Sequence, residues 1–294
     1  MPITFADKSP FNDIQPIKTG TIIDKLTGVN GLPRKRIIEI FGDAGTGKST
    51  ICLQCTASIQ SQGLRCLWAD VEFSYDQRYA GVLGVDNSKL GLIQERFAED
   101  ALDQIEKEID EGNFDVVFVD SVGGLLPRQE GEKDAGSKTI GGQASLVARF
   151  CRKIVPLLAL RNVALVVINH SFTDLMSGKI KTSGGQKLDY HKSISIRLKV
   201  NPTVALKQGD KRVGKVIVAE VRKNKLAATE GMTLDTRLIF GEGFSAKEDA
   251  FQQALDDGII TKDGGNYHFK GEKIAYGENR AKKWFEENKN LLTP

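Results

Sequence analysis

The sequence lacks several features that define whole classes of protein. It contains only 4 cysteines, 8 prolines and 2 tryptophans among 294 residues. So few cysteines exclude a disulfide scaffold, and the composition excludes collagen, low-complexity and disordered chains. Apolar runs such as Ala164 to Ile168 fall far short of the roughly 20 residues that cross a bilayer, and Met1 to Ile14 has no basic region followed by an apolar stretch. These absences predict a soluble, cytoplasmic protein with reduced thiols and no membrane partner.

An excess of one charge is also missing, because 41 Lys and Arg residues nearly balance 38 Asp and Glu residues to give a net charge of +3. The balance is uneven along the chain. Ser171 to Lys225 holds 13 basic and 4 acidic residues, so this segment carries +9 and the remainder carries −6. Such a segment is typical of nucleic-acid binding, but lysines also collect on solvated loops and strand faces, so charge alone leaves both interpretations open.

Short β-branched runs alternate along the chain with longer helical patterns. The predicted strands are Arg36 to Phe41, Arg65 to Asp70, Asp115 to Asp120, Ala164 to Asn169, Ile194 to Val200 and Lys215 to Val221. The predicted helices are Ser49 to Gln62, Ala101 to Glu111 and Gln143 to Leu160. This interleaving predicts an α/β fold with a mainly parallel sheet covered on both faces. The last two strands alternate polar and apolar residues, which is typical of the edge of a sheet.

The end of the chain has a different character. Ser245 to Leu292 combines a helical stretch, a hairpin signal at Asp263 to Asn266 and a charged helix from Glu278 to Asn288, which predicts a small α+β lobe. The predicted division is a short N-terminal segment at 1–35, a core at 36–241 and a C-terminal domain at 242–294. Two glycine-rich tracts, Glu130 to Gly142 and Phe172 to Gln186, interrupt the core, and loops of that length are usually functional.

A phosphate-binding motif directly follows the first strand. The pattern G-x-x-x-x-G-K-[ST] is matched by the consecutive residues Gly42, Asp43, Ala44, Gly45, Thr46, Gly47, Lys48 and Ser49, with Thr50 continuing into the helix. Glycines let backbone N–H groups curl around phosphate oxygens at the helix start. Lys48 is predicted to reach the β- and γ-phosphates, and the Ser49 hydroxyl to bind Mg²⁺. The motif therefore predicts ATP and Mg²⁺ as ligands.

Carboxylates at the ends of two further strands are predicted to complete the site. Asp120 ends an apolar strand and is predicted to hold Mg²⁺ through water. Asp70 and Glu72 lie at the end of another strand, where either carboxylate can accept a proton from water, and spacing does not choose between them. His170 follows a third strand, and its two interpretations are a γ-phosphate contact and an ordinary loop histidine.

Two cysteines have the spacing of a metal-binding pair. Cys52 and Cys55 form a CxxC pattern, but they lie in the helix behind the phosphate loop and the sequence offers no second pair. We interpret them as small buried hydrophobic residues and predict no zinc site.

With these residues assembled, the chain resembles the bacterial RecA recombinases and their phage counterparts from Thr19 to Asn288. The segments that carry the resemblance are Gly31 to Thr50, Val71 to Asp86, Val116 to Pro127, Thr182 to Gly185, Val221 to Ala228 and Phe240 to Ser245. Tyr267 to Asn288 is similar to the small C-terminal domain of RecA. The resemblance implies a RecA-like P-loop ATPase core with a mainly parallel central sheet, plus a small α+β C-terminal lobe.

The resemblance also implies roles that the residues alone leave open. It selects Glu72 as the water-activating carboxylate and assigns Tyr79 to stacking on adenine, with Asp76 nearby. It implies that Lys223 and Lys225 reach across a protomer interface to the ATP of a neighbour, so that hydrolysis needs a filament. Two cations supplied in this way would stabilise the γ-phosphate charge as an arginine finger does. The alternative interpretation of this segment is a solvated turn.

The two glycine-rich tracts match the family's DNA-binding loops, at 130–142 and 171–186. The DNA-contacting residues implied are Arg152, Met176, Lys179, Ile180, Lys181, Gly184 and Gly185. The glycines would allow backbone N–H groups to approach phosphates, while Met176 or Ile180 would wedge between bases. His170 stands where RecA has a glutamine that links ATP to the second loop.

Three features differ from the family pattern. The segment before Thr19 is shorter than the arm by which RecA packs onto its neighbour, which leaves Ile3 to Phe11 as the candidate docking strand. The sequence stops at Pro294 without the acidic tail that restrains DNA binding in many members, so easier access to duplex DNA is expected. The second loop is also shorter.

The function predicted from the sequence is an ATP- and DNA-dependent homologous recombinase. It would form filaments on single-stranded DNA, pair that strand with homologous duplex DNA and promote strand exchange in recombination and repair. Single-strand-binding and loader proteins are further expected partners. The alternatives are a ring helicase or translocase built on the same core, and a recombination mediator that forms no filaments.

Overall fold

The computed structural model describes residues 9, 11, 13–132, 141–174, 178–208 and 210–288. The strands are β1 (Pro16–Ile17), β2 (Leu32–Pro33), β3 (Ile37–Gly42), β4 (Cys66–Asp70), β5 (Leu90–Ile93), β6 (Val116–Asp120), β7 (Ala164–Thr173), β8 (Ile180–Thr182), β9 (Ile194–Gln208), β10 (Lys211–Asn224), β11 (Thr233–Ile239), β12 (Gly243–Phe244), β13 (Ile260–Asp263), β14 (Asn266–Phe269) and β15 (Glu272–Tyr276). The helices are α1 (Ile23–Leu26), α2 (Lys48–Ser61), α3 (Gln77–Val82), α4 (Ala98–Asp110), α5 (Arg128–Gly131), α6 (Gly142–Arg161), α7 (Gly185–His191), α8 (Ala246–Asp256) and α9 (Glu278–Glu287). Among these described residues, no helix is both long and apolar enough to span a membrane.

A ten-stranded sheet organises most of the chain. Its order is β12-β11-β10-β9-β3-β7-β6-β4-β5, and β8 pairs with β7 outside this path. The strands from β9 to β5 in that order run parallel, whereas β10, β11 and β12 are antiparallel. Both β3 and β6 are buried along their whole length, which accounts for their continuous apolar sequences. The predicted α/β fold with a mainly parallel sheet is confirmed.

The register of the parallel strands brings their carboxyl ends to one edge of the sheet. Gly42, at the end of β3, lies opposite His170 on one neighbouring strand and Leu198 on the other. Asp70 and Asp120 end β4 and β6 opposite each other. In open α/β sheets, ligands bind at this edge. The residues of the predicted site therefore meet there.

Helices cover both faces of the sheet. On one face, α1 and α2 contribute Ile23, Ile51 and Ile59 to a core that includes Trp68 and Phe118. On the other face, α4 and α6 pack with β6 and β7. The buried residues of α4 recur every three or four positions and are Ala98, Ala101, Leu102, Ile105 and Ile109. This amphipathic spacing explains why the segment folds as a surface helix.

A second, smaller hydrophobic core lies near the end of the chain. The strands β13, β14 and β15 form an antiparallel sheet, and the hairpin predicted at Asp263 to Asn266 connects the first two. The core residues are Phe251, Ala254, Ile260, Tyr267, Ala281 and Phe285, drawn from this sheet and from α8 and α9. Asp249, on α8, accepts hydrogen bonds from the backbone N of Arg237 at 3.0 Å and from its guanidinium at 3.2 Å, which ties this unit to β11.

Two expectations about strands are wrong in detail. The strands β9 and β10 do not end the sheet, because β11 and β12 lie outside them, and the sequence pattern missed both of these short strands. Also, β7 continues past Asn169 to Thr173 and pairs antiparallel with β8, so part of the second glycine-rich tract is a hairpin. Polar residues on a solvated hairpin give no strong apolar signal, which is why the sequence indicated only a loop.

Some predicted features fall outside the described residues. Met176 is one of them, as are residues 133–140 of the first tract. The candidate docking strand Ile3 to Phe11 is described only at residues 9 and 11.

Candidate nucleotide site and its neighbouring loops

The phosphate loop joins β3 to α2 as the motif predicted. Gly47 has φ +83°, and a Cβ there would lie 2.8 Å from the Phe244 ring, so both conformation and space require glycine. Thr46 is buried and donates from its hydroxyl to Asp43 O at 2.9 Å, while Ala44 and Gly45 are exposed. The Thr46 side chain thus links the loop to its own backbone, and the tip of the loop is exposed to solvent.

Lys48 is buried at the start of α2, with a relative exposure of 6%. Its ammonium donates to the backbone oxygens of Gly42 at 3.1 Å and Asp43 at 2.9 Å. Burial lowers the pKa of Lys48, and the carboxylates of Asp120 and Glu72 oppose that shift. A cation held inside the loop by carbonyl oxygens is placed to exchange those partners for phosphate oxygens.

Asp120 and Ser49 form the polar centre below the loop. Burial raises the pKa of Asp120 to about 6, and a hydrogen bond with Ser49 opposes the rise. The neighbouring carboxylates Glu72 and Asp70 raise it further. The centre therefore holds more negative charge than Lys48 alone offsets.

This centre fits a magnesium ion bound together with phosphate. Ser49 and Asp120 supply hard oxygen ligands, which Mg²⁺ prefers. Within the described ranges, no group of three or more His, Cys, Asp or Glu residues could hold a metal ion alone. Mg²⁺ is usually held by one or two protein oxygens together with substrate phosphates and water, so this small donor set is the expected one.

Asp70 and Glu72, the two candidate bases that sequence spacing left open, have different environments in the structure. Asp70 is completely buried and accepts from the backbone N of Ser74 and of Tyr75, both at 3.0 Å. It also accepts from the Gln94 side chain at 2.8 Å. With its oxygens occupied by these donors, Asp70 has a structural role in closing the turn after β4.

Glu72 has a freer carboxylate on the same edge. Its side chain is 34% exposed, and Oε1 accepts a hydrogen bond from the Ser121 hydroxyl. Nε2 of His170 lies 3.4 Å from the same oxygen. Sequence reasoning did not assign a role to Ser121, although its position directly after Asp120 is the signal that would have found it. The assignment of Glu72 as the water-activating base stays a prediction.

His170 belongs to a network that reaches the second glycine-rich tract. Asn169 is buried and donates to Glu39 Oε1 at 3.0 Å and to the backbone oxygen of Ser183 at 2.8 Å. The backbone N of Ser183 and of His170 both donate back to Asn169 Oδ1, at 3.2 and 2.9 Å. One amide side chain thus fixes the residue beside Glu72 and the end of the tract together.

A second contact joins the phosphate loop to the same tract. Ser171, next to His170 on β7, donates from its hydroxyl to Asp43 Oδ1 at 2.5 Å. Sequence reasoning missed this pair, because nothing in the spacing relates residues 128 positions apart.

The residues expected at the nucleoside end lie beside the start of α2. The hydroxyl of Tyr79 is 3.3 Å from the hydroxyl of Thr50. Asp76 caps α3, accepting from the backbone N of Arg78 at 2.8 Å and of Tyr79 at 3.2 Å. The cap gives Asp76 a local role and fixes the helix that carries Tyr79, so adenine stacking by Tyr79 stays a prediction.

Lys223 and Lys225 contact the last turn of α7 within the single chain. Lys223 donates to the backbone oxygen of Asp189, and Lys225 donates to that of Tyr190 at 2.6 Å. Burial lowers the pKa of Lys223, and the nearby charge of Lys225 adds to the shift. Cations at a helix C-terminus are favourable. A contact with the ATP of a neighbour is not tested in one chain and stays a prediction.

The described residues of the predicted DNA surface are mostly exposed. Arg152, Lys179, Ile180 and Lys181 all face solvent, and Lys181 forms an ion pair with Asp174 across the β7–β8 hairpin. Gly184 is buried where α7 begins, and Gly185 follows it in the helix. Burial lowers the pKa of His191, as do the charges of Lys225, Lys187 and Arg152, so α6 and α7 share a basic surface.

The burial predicted for Cys52 and Cys55 is confirmed. All four thiols are free and buried. Burial raises the pKa of Cys55 to about 12 and raises that of Cys52 as well. A thiol that burial keeps protonated is a poor nucleophile, and Cys52 and Cys55 pack in the core as small apolar residues.

Comparisons with family models and with a solved structure agree with the fold described above. The family model of the RecA N-terminal domain matches residues 3–245, and that of the RecA C-terminal domain matches residues 249–293. The chain is similar to the crystal structure of the RadB recombinase, with a TM-score of 0.58 and 20% identity, over 78% of this chain and 98% of that one. The likeness to RadB shows the fold.

Two relatives give a higher identity. The protein named RecA of Delftia acidovorans is 34% identical over 283 residues, which is 95% of this chain and 76% of the relative. The protein named RecA of Sulfurovum sp. strain NBC37-1 is 34% identical over 286 residues, which is 96% of this chain and 82% of the relative. With both family domains matched in order along the chain, this protein belongs to the RecA family.

Proposed function

We propose that this protein is a DNA-dependent ATPase that forms filaments on single-stranded DNA and promotes homologous pairing and strand exchange. One observation carries the proposal: Glu72, beside the phosphate loop, contacts His170, and Asn169 next to it binds the end of the second glycine-rich tract. A change at the nucleotide therefore has a continuous polar route to a basic, exposed surface. Membership of the family supports ATP and DNA binding as the two ends of that route.

In this proposal, each residue of the site has its own role in ATP hydrolysis. The amides of the phosphate loop and Lys48 bind the phosphates, and Ser49 with Asp120 would hold Mg²⁺, which offsets phosphate charge. Glu72 accepts the proton of the attacking water, and Ser121 orients the carboxylate through its hydrogen bond. His170 couples the nucleotide state of this site to the strand that leads into the second tract.

Lys223 and Lys225 complete the site of a neighbouring protomer in this proposal. Their backbone partners on α7 would be exchanged for γ-phosphate oxygens when protomers assemble. Hydrolysis then depends on assembly, and assembly depends on DNA. Single-strand-binding and loader proteins would act on this assembly.

Turnover with and without DNA tests the proposal. We expect ATP hydrolysis by the parent protein to rise strongly with single-stranded DNA, and Glu72→Gln to lower the stimulated rate by about 10²-fold or more, the usual contribution of a general base. The matched control is Glu230→Gln, an exposed carboxylate elsewhere in the chain. Glu72→Gln turning over ATP at the parental DNA-stimulated rate contradicts the catalytic assignment.

A further inference from the structure

Lys215 approaches the phosphate loop from a distant part of the chain. It lies on β10, and its ammonium donates to the backbone oxygen of Gly45 at 2.8 Å across 170 residues of sequence. The same ammonium lies 5.6 Å from the centre of the Phe240 ring. The phosphate-loop motif and the residues assigned above give Lys215 no role.

Backbone structure fixes the position of Lys215. It pairs with Leu238 on β11 and Ala205 on β9, beside irregularities in the β9–β10 ladder. The preceding residue, Gly214, allows a close approach, since a Cβ there would lie 2.4 Å from the backbone oxygen of Leu238. Phe240 is held beside it by a hydrogen bond from its backbone N to Val213 O at 2.9 Å. The contact with the loop is therefore made from a strand that is paired with a neighbour on both sides.

The charge of Lys215 is also available to a ligand. No ion pair between Lys215 and a carboxylate is found in the described part of the chain, and the side chain is partly buried. Its hydrogen-bond acceptor is an uncharged carbonyl, and its other neighbour is an aromatic face. Neither neighbour carries a negative charge, so neither neutralises the positive charge of Lys215 beside the loop.

Peptide geometry relates this contact to phosphate binding. In a trans peptide the C=O of one residue and the N–H of the next lie in one plane and point in opposite directions. Holding the oxygen of Gly45 on the side of Lys215 therefore directs the N–H of Thr46 to the opposite side. In a loop of this type, the backbone N–H groups are the phosphate donors.

We infer that Lys215 is a positioning residue of the nucleotide site, which orients the tip of the phosphate loop and adds a positive charge to it. The ligand class is a nucleoside di- or triphosphate. The inference rests on the nucleotide binding in the proposed function and adds to it a cation outside the motif. It predicts that the loss of Lys215 affects ligands with several phosphates more than a nucleoside monophosphate.

Equilibrium binding without DNA tests this role, because it needs neither assembly nor turnover. The variants are Lys215→Met, Lys215→Gln and Lys215→Arg, and the control is Lys211→Met, an exposed lysine on the same strand. We expect Lys215→Met and Lys215→Gln to weaken ADP and ATP binding about tenfold, as when a charge-assisted hydrogen bond is removed, with a much smaller effect on AMP. Lys215→Arg should restore most of the affinity, and Lys211→Met should bind as the parent does. Circular dichroism and thermal unfolding without nucleotide would show that each variant is folded.

Each outcome has a distinct meaning. If the parent binds ADP and the folded Met and Gln variants bind it equally well, the inference about Lys215 is wrong while the proposed function stands. Equal losses for AMP and ADP, or no recovery in Lys215→Arg, also contradict it, because they indicate a general structural effect. If the parent protein binds neither ADP nor ATP, the proposed function fails and the inference fails with it.

Discussion

Nε2 of His170 lies 3.4 Å from Oε1 of Glu72, so the strand that leads into the second glycine-rich tract contacts the carboxylate beside the phosphate loop. The same oxygen accepts from Ser121, directly after the predicted Mg²⁺ residue Asp120. One carboxylate therefore connects the predicted hydrolytic centre to the loop expected to bind DNA.

Removing the side chain of His170 should abolish the coupling between nucleotide binding and DNA affinity. We expect His170→Ala to bind a slowly hydrolysed ATP analogue normally but to lose the increase in single-stranded DNA affinity that the analogue produces in the parent. His170→Gln should keep most of that increase, since an amide can donate to the same oxygen. The ratio of DNA affinities with and without the analogue measures the coupling. An unchanged ratio in His170→Ala would exclude His170 as the link.

Asp120 should lower the stability of the nucleotide-free protein. Its pKa is raised to about 6 mainly by burial, so the folded state holds a proton that the unfolded chain releases near pH 4. The folded protein then loses stability as the pH rises from about 4 to 7, by at most about 3 kcal/mol for a shift of this size. We expect Asp120→Asn to be about 1–3 kcal/mol more stable than the parent at pH 8 and to gain less at pH 5.

Urea unfolding of both proteins at several pH values between 5 and 8 measures this difference. A gain from Asp120→Asn that does not grow with pH would show that the carboxylate is not strained by burial. The same variant should lose Mg²⁺-dependent strengthening of ATP binding, because a neutral amide is a poor Mg²⁺ ligand.

Lys223 and Lys225 should matter far more for turnover than for folding. Their contacts in the single chain are with backbone oxygens at the exposed end of α7, so the double alanine variant should lose only about 1 kcal/mol of stability. If they act on a neighbour's ATP, DNA-stimulated hydrolysis should fall about 10³-fold or more. The control is Lys283→Ala, an exposed lysine of α9. Normal stimulated hydrolysis by the double variant would refute the role across the interface.

The lysines of the second tract should determine the salt dependence of DNA binding. Lys179 and Lys181 are exposed on and beside β8. Replacing both with alanine should reduce the slope of log affinity against log salt by about 0.7 for each single-strand phosphate that the variant no longer neutralises. The effect should be similar for different DNA sequences, because phosphate contacts carry no sequence information. A slope equal to that of the parent would show that these lysines do not contact the phosphates.

The sequence predicted local features well and distant contacts poorly. The strand that ends at Gly42 and the helix that follows Gly47 fall within one residue of their predicted bounds, because a motif and its flanking periodicity are adjacent in the chain. The environments of Asp70 and Glu72 could not be distinguished from the sequence, since they depend on Gln94, which follows β5, and on His170 of β7. The hydrogen bond from Lys215 to Gly45 likewise depends on the register of β10, which no spacing rule predicts.

The most direct test of the central claim is electron microscopy of the protein with single-stranded DNA and a slowly hydrolysed ATP analogue. We predict extended helical filaments along the DNA, formed with the analogue and absent without nucleotide. Closed hexameric rings would contradict the claim and favour a ring motor. Isolated protomers on DNA, together with no strand exchange by the protein alone, would contradict it in favour of a mediator.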